Sequence, residues 1–161
     1  MALTSPLWAD IERDVADATA YVRQAAERVH ALTEGGSDLP VDLRQDREWA
    51  VGYLLHNAYG AIESGLEKLI IKLDGDRPAG SDYHAQLIRR AALPIAGLRP
   101  AIISETTAAS LQALRGFRHV FRHVYGGFDY RRAVVNLPIA EQVILGLADE
   151  LPAFARAMGM L

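Results

Sequence analysis

Leu114-Arg115-Gly116-Phe117-Arg118-His119-Val120-Phe121-Arg122-His123-Val124-Tyr125-Gly126-Gly127 is the stretch on which the reading of this chain turns. Its apolar residues recur at helical rather than strand spacing. At about 100° per residue, Leu114, Phe117, Val120, Phe121 and Val124 gather on one side. Arg115, Arg118, His119, Arg122, His123 and Tyr125 occupy the other, in a sector of roughly 160°. One face is core. The other is a cationic, titratable strip that combines phosphate binders with proton-transfer groups. Arg118 and His123 stand at its opposite edges, roughly 140° apart on an ideal helix. One copy of such a helix would hold them poorly around one phosphate. Either the helix unwinds near the glycines or a second subunit completes the site.

The rest of the chain reads the same way, as helices joined by short breaks. The first spans about residues 5–33, with Pro6 in its first turn, and Gly35-Gly36-Ser37 ends it. Asp38 is the expected cap of the second, with Pro40 just inside. The second is long, Val41 to Asp74. Its expected buried side is Trp49, Tyr53, Leu54, Ala58, Ile62, Leu66, Leu69, Ile70 and Leu73. A loop rich in Gly and Asp follows. Ser81 is the expected cap of a short helix over about 82–93. Pro94, Gly97 and Pro100 interrupt the chain. The fourth helix starts near Ser104 and carries the strip to Tyr125, where Gly126 or Gly127 supplies a left-handed stop. The last helix is expected from about Asn136, with Pro138 in its first turn, to Met158, leaving Arg131 and Arg132 in a loop. No strand alternation or repeat appears. The expected fold is all-α: one domain over 1–161, an antiparallel bundle of four to five helices.

Composition narrows the function. The chain has 161 residues, enough for one sizeable core, and no cysteine, so neither disulfides nor thiolate metal sites arise. Residues 1–8 lack the basic-then-apolar pattern of a secretion signal, and no apolar run would span a bilayer. A cytoplasmic location is therefore expected, with no membrane contact. The net charge of −3 argues against a general polyanion binder. Nucleic-acid contact would be local, at residues 115–132 where basic groups collect.

Arg118-x4-His123-x-Tyr125, ending a bundle helix before two glycines, resembles the motif of HEPN-domain proteins. It is most similar to that of the HepT-like toxins, whose form includes the tyrosine. Glu63 on the second helix and Asp82-Tyr83-His84 at the third fit as well, so the resemblance covers most of the chain. It implies a homodimer whose paired motifs line a cleft, metal-independent endoribonuclease activity, and a nucleotidyltransferase partner acting as antitoxin. Carried over by position, Arg118 and His123 would be catalytic. Tyr125 would be the residue the partner adenylylates. Where the family often has a small polar residue after the motif arginine, this chain has His119, which leaves open which histidine transfers the proton.

The chemistry agrees. RNA cleaves when a 2′-hydroxyl attacks the adjacent phosphate, and a histidine near neutral pH suits the proton transfer. Arg118, Arg115 and Arg122 can grip phosphate oxygens and stabilise the charged intermediate state without a metal or cofactor. The products would carry 2′,3′-cyclic phosphates. Blander readings stand beside this. Basic residues near a helix C-terminus simply suit the helix dipole. His119 and His123 are four apart, as a metal pair would be, yet no carboxylate completes a set and the arginines would repel a cation. His84 would support the cleft through Glu63 or merely occupy a first turn. Trp49 and Tyr53 read as core or interface before base-stacking platform. His30 and His56 show no constellation. The other functional class is a non-catalytic helical module that binds, or presents nucleotide to, a partner nucleotidyltransferase.

Overall fold

A computed structural model describes residues 5–123 and 127–161. Five helices form in chain order: α1 Pro6–Gly35, α2 Val41–Asp74, α3 Tyr83–Ala92, α4 Glu105–Arg122 and α5 Tyr130–Ala157, with a 3-10 turn Gly36–Asp38 between the first two. Among the described residues there is no strand, only an isolated bridge between Ile95 and Arg99. The expected all-α bundle is the fold.

The two long helices α1 and α2 form a hairpin because each carries a helical-period apolar stripe. Trp8, Ile11, Ala18, Val22 and Ala25 of α1 are buried. They meet a continuous core that includes Leu55, Ile62, Leu66 and Leu69 of α2. Asp14 ties the pair at the rim, accepting from Lys68 Nζ at 2.6 Å and Ser64 Oγ at 3.1 Å. Helix α5 closes the bundle against α1, α2 and α4, and α3 packs on α2 and α4. At the start of α4, Ser104 Oγ accepts from Thr107 N, as a helix cap does. Glu150 of α5 reaches the same turn, accepting from Ser104 N at 3.0 Å and Thr107 Oγ1 at 2.9 Å. The strip-bearing helix is therefore fixed at its N-terminal end.

Several boundaries differ from the sequence expectation. Asp38 lies in the 3-10 turn, too early to reach the first α2 amides, and Pro40 precedes α2 without a side-chain cap. Ser81 is not the cap of α3: that position is Asp82, again without a side-chain hydrogen bond. Helix α4 stops at Arg122 instead of running to Tyr125. His123 leaves helical geometry at φ −111° and ψ 24°, and its N–H bonds back to Val120 O. Gly127, at φ 118°, comes after that stop. Helix α5 begins at Tyr130, six residues before the expected start, because Asp129 caps it by accepting from Arg131 N at 3.1 Å. Arg131 and Arg132 thus occupy its first turn, not a loop. Pro138 sits inside α5 and leaves the Val134 carbonyl without an amide donor. Val134 is exposed, so water can serve that carbonyl.

Candidate functional site

The strip of α4 meets a matching wall on α2. His56, Tyr59 and Glu63 are spaced three and four apart, so they share one side of α2. Arg115, Arg118 and Arg122 share one side of α4 by the same rule. Arg118 is not a free surface residue. Its guanidinium carbon lies 5.6 Å from the centre of the Tyr59 ring, a cation–π contact across the two helices. Its Nε is buried and has no hydrogen-bond partner. The Tyr59 hydroxyl and His56 Nδ1 are buried and unpartnered in the same wall. Buried polar atoms are almost always paired, so these orphans stand out, although Trp8 Nε1 of α1 and the Tyr83 and Tyr130 hydroxyls of α3 and α5 are unpartnered too.

The electrostatics follow from the neighbours. Burial, then the Glu63 charge, pushes the Tyr59 phenol far above its ordinary range, with Arg118 and Arg115 acting in the opposite sense. Tyr59 is therefore a neutral hydroxyl at any physiological pH. Burial, then the Arg118 and Arg122 charges, holds the His56 imidazole below its ordinary value, with Glu63 opposing. Its neutral form is favoured. None of Arg115, Arg118 and Arg122 forms an ion pair with a carboxylate among the described residues. Among the described residues the nearest counter-charge acting on this wall is Glu63, which opposes the arginines at His56 and Tyr59 without pairing with them.

Each sequence-predicted residue except Tyr125 has a described place. Arg115 is held by Gln112, whose Oε1 accepts from Arg115 Nε at 2.8 Å, while Gln112 Nε2 donates to Ala85 O of α3. Glu63 and His84 meet: His84 Nδ1 is 2.6 Å from Glu63 Oε2. A carboxylate can only accept, so Nδ1 carries the proton, and the pair links α2 to α3. His119, Arg122 and His123 are exposed at the end of α4. His123 Nδ1 is 2.8 Å from the His119 carbonyl oxygen. That oxygen also only accepts, so Nδ1–H donates and Nε2 of the neutral ring keeps its lone pair. The His119 and His123 rings lie 4.6 Å apart, with no third potential metal ligand grouped with them among the described residues. Within one chain Arg118 lies against α2 while His123 stands at the exposed helix end. Tyr125 lies outside the described residues.

Beneath the strip sits an aromatic cluster that seats the end of α4. Phe121 packs against Trp49, Tyr53, His56, Phe117 and Phe128, at ring-centre distances of 5.2–5.9 Å. This is possible because α2 has Gly52 at the crossing. A Cβ there would come within 2.5 Å of Phe121 Cε2 and 2.8 Å of Phe128 Cζ. Tyr53, expected in the core, is instead 57% exposed. Val120, expected on the core face, is 39% exposed.

A family model described as HepT-like protein matches residues 50–158, about two-thirds of the chain. The chain belongs to the HepT-like family of HEPN proteins. No curated protein and no solved structure matches it. The matched range runs from Ala50 on α2 through the Arg118–His123 segment to α5, and so includes both facing helices. It also takes in His56, which sequence reasoning dismissed. The spacing of His56, Tyr59 and Glu63 was a usable sign that one face of α2 is polar. Nothing local showed that this face meets Arg118. Among the described residues, no helix is long and apolar enough to cross a membrane.

Proposed function

We propose that this HepT-like chain is the ribonuclease toxin of a two-component module, a metal-independent endoribonuclease acting in the cytoplasm as a homodimer. The observation that carries the reading is the buried, unpartnered Arg118 donor, set beside an uncompensated Arg122 and a histidine whose tautomer is fixed. In the proposed reaction His123 Nε2 takes the proton of an RNA 2′-hydroxyl. The freed oxygen attacks the adjacent phosphorus. The bond to the 5′-oxygen breaks, and that oxygen takes a proton from water, so each site needs only one His123. Products are a 2′,3′-cyclic phosphate and a 5′-hydroxyl. Arg118, with Arg115 and Arg122 behind it, stabilises the extra negative charge on the phosphoryl oxygens. His119 supplies the carbonyl that orients His123. Glu63 and His84 brace the α2 wall.

The partner in this reading is a nucleotidyltransferase antitoxin that adenylylates Tyr125. AMP there would set a bulky anion among the arginines, blocking RNA and cancelling the charge that attracts it. A second reading is favoured by one observation, the separation of Arg118 from His123 within a single chain. It makes the protein a non-catalytic module that docks the nucleotidyltransferase.

The decisive assay is cleavage of mixed cellular RNA by purified protein in EDTA, after mass spectrometry shows Tyr125 unmodified. The expected result is cleavage that leaves cyclic phosphate ends and disappears in His123→Ala. Products with 3′-hydroxyl and 5′-phosphate ends would exclude this chemistry. No cleavage at all would favour the docking module. Mixing Arg118→Ala with His123→Ala subunits is expected to restore roughly a quarter of the activity. Half the dimers are then mixed, each with one intact composite site.

A further inference from the structure

Tyr53 departs from the pattern of its own helix. Val51 and Leu55 beside it are buried, and the apolar stripe of α2 runs inward, yet Tyr53 is 57% exposed. It is not loose. Its ring makes a T-shaped contact with Phe121, with centres 5.2 Å apart and planes at 84°. Phe121 is itself only 8% exposed and rests in the Gly52 notch. An aromatic ring held along one edge by a rigid neighbour, with much of its surface in solvent, can stack without first losing rotamer freedom.

Its surroundings say what would stack there. His56, one turn along the same face of α2, also packs on Phe121 and lies within the field of Arg118 and Arg122. An uncompensated cationic strip thus runs beside an exposed aromatic ring. Cations that follow a phosphate backbone, interleaved with rings that accept bases, suit single-stranded nucleic acid. A duplex keeps its base faces covered and could not use the ring. A protein partner would find little apolar reward here without a counter-charge for the arginines.

We infer that Tyr53 is a nucleobase-stacking residue that holds an unpaired base next to the phosphate gripped by Arg118 and Arg122, making single-stranded RNA the substrate class. The inference rests on the ribonuclease reading for its substrate, but not for its test. Binding is measured by fluorescence anisotropy with short labelled single-stranded RNA in EDTA, on a His123→Ala background so that nothing is cut. Tyr53→Ala is expected to bind roughly tenfold more weakly, the loss of one base–aromatic stack, and Tyr53→Phe to bind like the parent. Oligonucleotides that are abasic throughout should erase the difference between the three. Light scattering on the same samples should show unchanged mass, and circular dichroism unchanged melting.

Equal affinity for Tyr53→Ala overturns the inference. So does a Tyr53→Phe protein as weak as Tyr53→Ala, since a ring without the hydroxyl still stacks. Loss of the dimer in Tyr53→Ala also overturns it, assigning the ring to the subunit interface. No binding of single-stranded RNA by the parent protein overturns it as well. The two readings fail separately. Cleavage by His123-bearing protein with affinity indifferent to Tyr53 removes only the stacking role. Tyr53-dependent binding without cleavage removes only the nuclease.

Discussion

Arg99 and Arg118 both bring a guanidinium into the bundle, and they are satisfied in opposite ways. Arg99 is 4% exposed and all five of its N–H groups are engaged. Asp74 takes Nε at 2.6 Å and Nη2 at 2.8 Å in a two-pronged pair, and the carbonyls of Leu93, Pro100 and Arg90 take the rest. This closed set staples the 93–100 connection to the end of α2. Arg118 has an aromatic face beside it and a buried Nε with nothing to donate to. One arginine is finished by the chain; the other has no acceptor for its Nε among the described residues. Buried polar groups complete in themselves belong to the scaffold, and incomplete ones point to function.

The largest test of that contrast is Arg99→Ala, which leaves Asp74 buried and unpaired. A loss of about 3–5 kcal/mol is expected, read from the urea midpoint, with any fall in cleavage tracking the unfolded fraction. Arg99→Met with Asp74→Leu removes both charges and should recover much of that loss. A single variant as stable as the parent would show that the staple is not structural.

Arg118→Ala should do the reverse. Cleavage is expected to fall roughly 10²–10³-fold, as when a donor to a developing oxyanion is removed. The melting midpoint should barely move, because an unsatisfied donor leaves with the side chain. A large destabilisation would place Arg118 with Arg99.

Gly52→Ala sharpens the comparison from the packing side. The added methyl has no room against Phe121 and Phe128, so about 1–3 kcal/mol of stability should go. RNA affinity should fall with it, since Phe121 supports Tyr53. Unchanged melting would mean that the aromatic cluster repacks freely.

The smallest expected effect is a pH slope from His56. The unfolded imidazole titrates near its ordinary value of 6.5, and the folded one lower, through burial and then Arg118 and Arg122, with Glu63 opposing. Above 6.5 both states are neutral and the full stability is present. As pH falls below that, the unfolded chain binds the proton first, and stability declines until the folded imidazole titrates too. His56→Gln should flatten that part of a melting-against-pH curve. A slope that survives the substitution belongs to other groups.

The fold was legible because helix periodicity is local. The bounds of α2 could be read directly from an apolar stripe ended by Asp74-Gly75. The start of α5 was misplaced because Pro138 looks like a first-turn proline, while the cap that begins the helix is Asp129. On the site, the spacing of Arg118 and His123 was visible, and a link from His84 to Glu63 was one of two readings the sequence offered. His56 and Tyr53 were not. Both depend on where Phe121 lands, sixty-odd residues away in sequence and admitted by a glycine notch. Arg99 gave no sign at all, since three of its partners are main-chain carbonyls whose positions exist only once the chain has folded.

Helix α2 carries the Arg99 staple at Asp74 and the Arg118 wall at Tyr59. The fifteen-residue step from Tyr59 to Asp74 rises about 22 Å along the axis. Groups that far apart, with no shared partners, change stability independently and nearly additively. The two ends of this one rod are therefore separable units of heredity. Substitutions can accumulate at the Tyr59 end, altering what that wall recognises, while the Asp74 end keeps the bundle folded. A lineage of such HepT-like chains could change what this wall recognises without first acquiring a sturdier scaffold.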